Sequence, residues 1–567
     1  MNKKNFNLDS KYIGILPIVN HFLSRLKFKE LLDKYLPPTA EQSKIDPAKA
    51  LGVLVRNLII SRTPLYSVGE WAELMVPKLI GLAPGQVSLI NDDRAGRALD
   101  RLFEADRSAM LTELVVQMVG EFEIELEKFH NDSTSITLHG EYLKADGHPE
   151  RGKKTLVATF GHNKDHRPDL KQLLWILTVS EDGAVPVHFK VADGNTQDIN
   201  THIDTWEVLR RLVGSPQFLY VADSKLCSRE SLNHIHRCGG RFITVLPQSR
   251  KEDGLFREWL LAHSPRWAEV TRYPHPRLKD GPPDIILGLE SPIPDADGYR
   301  LIWFFSTHKK QRDAKSRQDK IVRALKELDR LKAKLSGPRS RYRTFEGVSQ
   351  AVEKILKETG AKPWLSYLIE PWQKEAYCQE RRGRPSKDTR WRRKLKLKFG
   401  LSWEPVEEKI LKDASLDGIF PLLTNCYELS PLEVLIPYKS KQTLVEKRHD
   451  LFKNTLEVTP VFLKSISRFE AFLFLCYVAI TVHALVERNL RKAMEENKLK
   501  VLALYPEGRD CRAPTTARLI EIFSNLQRHI LLKEGKALQI FYPELSILQR
   551  QILKLLCLPA SLFSAGF

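Results

Sequence analysis

Apolar residues recur at helical spacing through the first 125 residues of the chain. Two such segments, 12–23 and 28–36, are followed by a pair of prolines that ends the pattern. Asp-Pro at 46–47 then suits the first turn of another helix. A further helix is predicted over 91–122. The pattern therefore predicts a helical N-terminal domain over residues 1–125.

The pattern changes at Lys128 into short apolar runs rich in β-branched residues, which are typical of strands. A helix is predicted among them over 205–213, and residues 183–191 extend the sheet or flank it. The other predicted strands are 128–137, 155–160, 173–179, 218–222 and 241–247. This order of elements predicts an α/β fold with a mixed sheet and helices packed on it.

Residues 252–415 have a third texture and are predicted as an inserted α+β domain. Strands are expected at 284–289 and 299–305, and an amphipathic helix crowded with Lys and Arg at 314–335. Residues 379–387 are expected to be exposed and extended. After a last strand near 417–425, the pattern beyond Pro437 is mostly helical.

Composition narrows the class of partner. The chain has 567 residues, of which 42% are hydrophobic, enough for several packed domains, and its formal net charge is +19. Such a charge favours a polyanion, either nucleic acid or an anionic membrane surface. The longest apolar run, 471–482, is too short to span a bilayer, and no signal peptide is recognisable. Seven scattered cysteines suit a reducing cytosol, so we expect a cytoplasmic nucleic-acid protein without a membrane partner.

Three carboxylates stand out by their positions. Asp223 ends the buried run 218–222, where sheets of this class present ligands, although it could instead cap the helix predicted next. Asp132 lies on the first predicted strand. Glu446 lies on a predicted helix, and Lys453 follows it by two helical turns on the same face.

Three acids from separate elements are a minimal ligand set for two divalent ions. Mg²⁺ prefers hard oxygen ligands and takes few from the protein, and Mn²⁺ accepts the same donors. Two such ions activate an attacking oxygen and stabilise a leaving oxygen in phosphoryl transfer. The rival third acids are Glu433, Asp450 and Glu457, but none has a lysine two turns beyond it on a predicted helix.

Several short strings, in this order along the chain, carry a resemblance to a known family. They are Asn131-Asp-Ser-Thr, Val221-Ala-Asp-Ser, Asp417-Gly with Thr424-Asn425, and Glu446 with Lys453. The chain resembles, over roughly residues 10–560, the DDE transposases of bacterial insertion sequences, in the group with a Tyr–Arg–Glu–Lys signature.

The resemblance implies a ribonuclease-H-like core interrupted by an inserted domain. It implies that Asp132, Asp223 and Glu446 are the catalytic, metal-binding triad. It further implies that Tyr438 and Lys453 contact transposon-end DNA. The chain departs from the signature in two ways: its arginine position holds Lys441, and Glu446 lies one residue further from Tyr438 than the pattern has it.

The resemblance also gives a domain organisation and a function. The expected function is DNA transposition by a homodimer assembled on terminal inverted repeats and target DNA, with two Mg²⁺ or Mn²⁺ ions as cofactor. The alternatives are a catalytically inactive DNA-binding derivative and a nuclease without strand transfer. The expected regions are a helical 1–125 for DNA ends or dimerisation, core 126–251, an inserted basic domain 252–415, core 416–490 and a helical 491–567.

Further DNA contacts are expected in the inserted domain. Arg382-Gly-Arg384-Pro resembles an AT-hook, whose Arg-Gly-Arg strip lies in an A·T-rich minor groove, or else it is a solvated basic loop. Arg392 and Arg393 add cations beside an aromatic residue. Trp303 either stacks on an unpaired base or belongs to a core.

Two other groups of polar residues are candidates for a function. Residues 161–171 form either a polar turn or a contact to phosphates at the rim of the site. Cys227, His234, His236 and Cys238 lie close in sequence, but their spacing matches neither a zinc finger nor a zinc ribbon.

Overall fold

The fold is taken from a computed structural model of the chain. The structure describes residues 6–38, 44–140, 142, 144–161, 163–164, 167–275, 281–337, 340–455, 463 and 465–564.

The first part of the chain begins with a strand and six helices and continues into a mixture of strands and helices. Its elements are β1 (Phe6–Tyr12), α1 (Leu16–Arg25), α2 (Phe28–Tyr35), α3 (Pro47–Ile60), α4 (Val68–Leu74), α5 (Asp92–Glu104), α6 (Arg107–Phe122), β2 (Lys128–Leu138), β3 (Pro149–Glu150), β4 (Lys153–Lys154), β5 (Lys171–Ser180), β6 (Pro186–Ala192), α7 (His202–Val213), β7 (Leu219–Ala222), α8 (Arg229–Arg237) and β8 (Arg241–Val245).

The middle part has long helices and two long strands. Its elements are α9 (Lys251–Ala262), β9 (Ala268–Tyr273), β10 (Asp284–Glu290), β11 (Arg300–Ser306), α10 (Thr307–Ser336), α11 (Phe345–Thr359), β12 (Leu365–Gln379), β13 (Trp391–Pro405), α12 (Glu407–Ser415) and β14 (Ile419–Thr424).

The last part is dominated by one long helix. Its elements are α13 (Pro431–Ile436), α14 (Thr443–Asp450), α15 (Ile466–Glu496), β15 (Leu502–Ala503), β16 (Asp510–Cys511), α16 (Thr516–Phe523), β17 (Gln527–Lys533), β18 (Lys536–Phe541) and α17 (Ile547–Leu555).

The chain folds into two compact units. The first comprises Met1–Val245, Thr424–Glu428 and Glu433–Phe567, and the second comprises Leu246–Leu423 and Leu429–Leu432. The second unit overlaps the predicted insertion, 252–415. The finer division into five regions stays a prediction.

The first unit contains a mixed β-sheet, in agreement with the predicted α/β fold. Its strands lie in the order β6-β5-β2-β7-β8. β2, β5 and β6 pair antiparallel, whereas β2, β7 and β8 pair parallel. Parallel strands buried on both faces read as continuous apolar runs, which is why 218–222 was recognisable from sequence.

Helix α15 forms the centre of the first unit. It is apolar and long enough to cross a membrane by length and composition, yet 89% of its apolar window is buried inside the protein. A helix that is apolar on all sides suits the middle of a packed core. Aromatic side chains line the neighbouring sheet: Trp175 stacks on Phe452 with ring centroids 4.5 Å apart.

The N-terminal helices are confirmed, with one correction. Asp46 and Asn91 cap α3 and α5 by accepting backbone N–H bonds at 2.9 Å. The single helix predicted over 91–122 is two helices, because the Asp106 side chain accepts a 3.0 Å bond from the Ala109 N–H and starts α6. Capping carboxylates of this kind compete with helix continuation.

Two other expectations about secondary structure are wrong. Residues 155–160 are not a strand: Val157 and Thr159 make only isolated bridges, to Asp146 and Gln172. The region 491–567, expected to be helical, also contains strands, because β17 and β18 form a three-stranded sheet with β1. That pairing joins the two ends of the chain, and no local pattern could reveal it.

The second unit combines strands β14-β11-β10-β9 with a helical layer. Helices α10 and α11 pack against one end of the β12–β13 hairpin around a core that includes Leu328, Val352 and Ile369. A bidentate ion pair fastens α10 to the loop before β14, with Arg317 Nη1 and Nη2 at 2.8 and 2.7 Å from the Asp417 carboxylate oxygens.

Candidate metal centre

Asp132 and Asp223 lie side by side. The last parallel pair between β2 and β7 is Asn131 with Ala222, so the next residue on each strand is one of the two acids. Adjacent strands lie about 4.8 Å apart. Asp223 does not cap α8, whose cap is Ser228. Its Oδ1 instead accepts a 3.0 Å bond from the Lys225 N–H, which leaves Oδ2 for another partner.

Helix α14 places Glu446 against this pair of acids. At its start, the Gln442 side chain donates a 3.2 Å bond to the Asn131 carbonyl. Seven residues on, His449 Nε2 lies 3.7 Å from Asp132 Oδ2. Residues three and four apart share a helix face. Glu446, four after Gln442 and three before His449, therefore lies on the face that is directed at Asp132.

Wide π-helical turns flank α14. They span Pro437–Lys441 before it and Leu451–Thr455 after it. Such turns are rare and occur often at functional sites. The first of them carries Tyr438 and the second carries Lys453, so both signature residues lie where the helix departs from regular α geometry.

The three carboxylates disfavour one another's charge. Burial raises the pKa of Asp132, and the charge of Lys164 offsets part of that rise. Burial, followed by the charges of Asp132 and Asp198, raises the pKa of Asp223. Burial and the charge of Asp132 raise the pKa of Glu446. The cluster therefore holds more negative charge than its surroundings stabilise, and a cation would relieve it.

Tyr438 lies within electrostatic range of all three acids. Burial, and then the charges of Asp223, Glu446 and Asp132, raise its pKa to about 12. The phenol is thus neutral at physiological pH and can donate a hydrogen bond. The charges of all three acids therefore act on one hydroxyl group.

Sequence analysis missed two residues of this cluster. Lys164 Nζ lies 3.8 Å from Asp132 Oδ1 and 3.5 Å from Asp198 Oδ2. Asp198 Oδ2 also accepts a 2.8 Å bond from Ser133 Oγ. Lys164 belongs to the polar turn 161–171, for which one interpretation was a contact to phosphates at the rim of the site. In the structure this lysine instead lies beside two carboxylates. Asp198 follows no buried run and gave no signal.

His449 is the third missed residue. Burial, reinforced by the charge of Lys164, lowers its pKa to about 3, so the ring is neutral. Neither ring nitrogen makes a hydrogen bond with any part of the chain that the structure describes. Its Nε2, 3.7 Å from Asp132, is aimed into the cluster.

The donor set fits a divalent ion of the hard class. Asp132, Asp223 and Glu446 offer only carboxylate oxygens, which Mg²⁺ and Mn²⁺ prefer. Burial first, and then neighbouring carboxylate charge, raises the pKa of all three acids, and a bound cation would oppose both effects. Lys164 supplies a single positive charge at one side of the cluster.

The remaining signature residues are separated from one another. Lys441 lies near Glu181. Burial alone would raise the pKa of Glu181, but a hydrogen bond from His130 and the charges of Lys128 and Lys441 lower it overall. Lys453 is half-buried, and its charge contributes to the lowered pKa of His449. Lys453 is thus close to the cluster, whereas Lys441 faces another acid.

The expectation that Trp303 stacks on a base is contradicted. Its side chain is 0% exposed. The ring stacks on Phe256 at 3.8 Å, and Nε1 donates a 3.1 Å bond to Ser291 Oγ. Both the apolar surface and the one donor of this residue are therefore used inside the second unit.

The predicted DNA-binding arginines lie on a long hairpin. Arg382 and Arg384 are exposed in the connection between β12 and β13. Arg392 and Arg393 are exposed on β13 and point to opposite faces of it. Arg393 is ion-paired with Glu375 on the facing strand.

The remaining motif strings have structural partners. Asp417 binds Arg317, as described above. Asn425 Oδ1 accepts a 2.9 Å bond from the Phe242 N–H, and its Nδ2 donates a 2.8 Å bond to the Gly240 carbonyl. Asn425 therefore fixes the start of β8, two strands from β2.

One other cluster has metal-ligand chemistry. Glu207, His234 and Cys238 bring one ligand atom each within 4.8 Å of one another. Glu207 is already engaged, because its two oxygens lie 2.8 Å from His234 Nε2 and 2.8 Å from Arg210 Nη2. The adjacent guanidinium satisfies this carboxylate without a metal.

Comparison with known proteins adds the following. A family model described as a domain of unknown function, DUF4277, matches residues 8–116, and no curated protein matches the chain. A piggyBac transposase in a synaptic complex with hairpin DNA aligns at TM-score 0.37 and 9% identity, over 89% of this chain and 77% of that one. Mos1 transposase in a paired-end complex with the left transposon end aligns at TM-score 0.14 and 8% identity, over 38% of this chain and 63% of that one. TM-scores this low do not establish a common fold.

Proposed function

We propose that this protein is a metal-dependent DNA transposase with a ribonuclease-H-like core. One observation carries the proposal: Asp132 and Asp223 follow the paired residues Asn131 and Ala222 of β2 and β7, and Gln442 and His449 of α14 approach β2 on either side of Glu446. The mixed sheet, antiparallel from β6 to β2 and parallel from β2 to β8, supports the core topology.

The residues have separate tasks in this proposal. Asp132, Asp223 and Glu446 hold Mg²⁺ or Mn²⁺, which when bound supplies Lewis-acid activation of the attacking and leaving oxygens. Tyr438, neutral because its pKa is about 12, donates a hydrogen bond to a phosphate oxygen. Lys453 binds a neighbouring phosphate. His449 packs against Asp132 from the buried side with a neutral ring.

The reaction consists of two phosphodiester exchanges. In the first, a water oxygen attacks phosphorus at the end of the element and the 3′-oxygen leaves, taking up a proton. In the second, that 3′-hydroxyl attacks a target phosphodiester, a new ester bond forms, and the target 3′-oxygen leaves. We propose that a homodimer holds both ends, in the cytoplasm of a bacterial cell.

A strand-transfer assay tests the proposal against a nuclease. Pre-cut ends taken from the DNA that flanks the gene are offered with a supercoiled target, carrying either a 3′-hydroxyl or a 3′-deoxy terminus. We expect joining only with the hydroxyl and only with added Mg²⁺ or Mn²⁺. Cutting without joining would show that the protein is a nuclease without strand transfer. Binding without cutting would show that it is a catalytically inactive derivative.

A further inference from the structure

The β12–β13 hairpin is an isolated ribbon. Each strand has 15 residues, and the two pair only with each other among the strands of the described chain. The register runs without a bulge from Leu365 opposite Pro405 to Gln379 opposite Trp391. A hairpin of two strands is marginally stable alone. It therefore depends on packing at one end.

That packing involves one face of the ribbon at its inner end. Ile369, Phe399 and Leu401 are buried against α10 and α11. Residues directly opposite each other in an antiparallel pair share a face, and successive residues alternate. We call the face opposite to these three residues the solvent side, although in the outer half of the ribbon the other face is exposed as well.

The outer half of the solvent side is strongly basic. We define the cation face as Lys374, Arg392, Lys394 and Lys396, all of which are exposed. Lys374 pairs directly with Lys396, Ala376 with Lys394 and Cys378 with Arg392, so all four share one side. No carboxylate occupies this side between the Trp372–Lys398 pair and the Cys378–Arg392 pair.

The opposite side differs in charge. It carries Glu375, whose carboxylate is paired with Arg393, together with Tyr377 and Leu395. Within these pairs, the only carboxylate lies on the side opposite to the cation face, so the negative charge is separated from the four cations. Like charges directly opposite, such as Lys374 and Lys396, destabilise a strand pair. The cation face therefore has an electrostatic cost that a bound polyanion would remove.

We propose that the ribbon binds double-stranded DNA in the major groove through the cation face. The inference rests on the proposed function, which supplies DNA as the partner. A major groove about 12 Å wide admits a two-stranded ribbon, and a minor groove about 6 Å wide does not. Same-side residues repeat about every 6.8 Å along a strand, so the cations meet successive backbone and base-edge acceptors. Lys374 lies outside the basic string 390–398 and is placed with it only by the register.

The inference differs from an AT-hook at the tip. An AT-hook would use Arg382 and Arg384 in a minor groove, whereas the ribbon uses Lys374, Lys394 and Lys396 in a major groove. Arg393, although next to Arg392 in sequence, belongs to the other side and is already ion-paired. Each arrangement thus assigns DNA affinity to a different set of side chains.

The experiment measures the salt dependence of binding by the full-length protein to a random-sequence 40-base-pair duplex. The test variant is Lys374→Gln/Lys394→Gln/Lys396→Gln. The charge-matched control is Lys492→Gln/Lys500→Gln/Lys554→Gln, at exposed positions in the first unit. At about 0.9 for each lost phosphate contact, the slope of log K against log salt should fall by about 2.7 in the test variant and stay unchanged in the control.

Further arms identify the face and the groove. Arg393→Gln should keep the wild-type slope, and Lys374→Arg/Lys394→Arg/Lys396→Arg should also keep it because charge is retained. Methyl green, a major-groove ligand, should compete with the wild type but not with the test variant. Competition by netropsin together with affinity loss in Arg382→Gln/Arg384→Gln alone would overturn the inference in favour of a minor-groove AT-hook.

The outcomes separate this inference from the proposed function. An unchanged slope in a folded test variant that still cuts DNA overturns the ribbon inference alone. Failure of the wild-type protein to bind any duplex overturns both. A salt slope that falls in the test variant only when polyglutamate, an acidic polypeptide, replaces DNA as the ligand would assign the cation face to a protein partner. That result would overturn the inference.

Discussion

His449 Nε2 lies 3.7 Å from Asp132 Oδ2, and this contact joins helix α14 to strand β2. Gln442 makes the second connection, through its 3.2 Å bond to the Asn131 carbonyl. Between these two points, Val445 and Glu446 each lie three or four residues from both contacts, and Glu446 is the one that carries a carboxylate. Asp450 accepts a 2.6 Å bond from Asn454 Nδ2, whereas the charge of Asp132 raises the pKa of Glu446, and this difference favours Glu446 as the third acid.

Asp223→Asn should stabilise the metal-free protein at neutral pH. The folded-state pKa of Asp223 is raised, so the folded protein holds this proton more tightly than the unfolded chain does. The ionised carboxylate therefore costs folding free energy above the raised pKa, about 1.4 kcal/mol for each unit of difference. The asparagine oxygen can still accept the bond from the Lys225 N–H.

The measurement is the urea midpoint in EDTA at neutral and acidic pH. The advantage of the variant should shrink as pH falls through the raised pKa and vanish below the ordinary value, about 3.9. Asp388→Asn, at an exposed position, should change nothing at either pH. A less stable Asp223→Asn protein at neutral pH would contradict the electrostatic description of the cluster.

Lys164→Gln should increase the rise in melting temperature that Mn²⁺ produces. The Lys164 ammonium lies 3.8 Å from Asp132 and competes with an added cation for the same oxygens. Removing it leaves more unbalanced negative charge for the ion. Lys190→Gln, which removes an exposed pair with Asp204, is the matched control. A smaller metal-induced rise in Lys164→Gln than in the control would assign Lys164 a role in holding the site together.

Lys453→Ala and Glu446→Gln should have different effects on DNA. Lys453 approaches the cluster from the second π-helical turn, and its loss should weaken DNA binding and cutting together. Glu446→Gln should reduce cutting by roughly 100-fold or more while binding persists, since a neutral amide keeps the shape but ligates Mg²⁺ poorly. Gel shift and cleavage on one preparation separate the two. Normal binding and cutting by Lys453→Ala would show that Lys453 has no role in either step.

Asp417→Ala should unfold the second unit more easily. The change leaves the Arg317 guanidinium, whose side chain is 10% exposed, without its bidentate partner. Breaking a buried pair in this way costs about 3 kcal/mol. The double variant Arg317→Met/Asp417→Leu should recover most of the loss. Equal urea midpoints for wild type and Asp417→Ala would show that the pair contributes little.

The sequence predicted those parts of the site that follow from local patterns. Asp223 was visible because a buried strand ends at it, and Asp132 because it interrupts a β-branched run. Lys164 and Asp198 could not be found, because they reach the cluster from turns whose position depends on the whole sheet. His449 looked like one more polar residue in a charged helix, and its burial depends on packing.

For the fold as well, local patterns were predictable and long-range pairings were not. Helices with strong apolar periodicity were predicted, but α10 begins seven residues before its expected start and the helix expected over 91–122 is two helices. Residues 155–160 have strand-like residues but find only isolated partners, and β17 and β18 pair with β1 from the other end of the chain. Trp303 could have been either a base-stacking or a core residue, and only its neighbours Phe256 and Ser291 decide that it belongs to the core.

Metal-dependent cutting of the DNA that flanks the gene tests the central claim most directly. A supercoiled plasmid with both flanks is incubated with wild-type protein, Asp132→Asn, Asp223→Asn or Glu446→Gln, with EDTA, Mg²⁺ or Mn²⁺, and strand ends are mapped. We expect the wild type to cut at the ends of the element only with metal, and each variant to bind the flanks without cutting. Cutting at the wild-type rate by any of the three variants would contradict the assignment of these carboxylates as the metal centre.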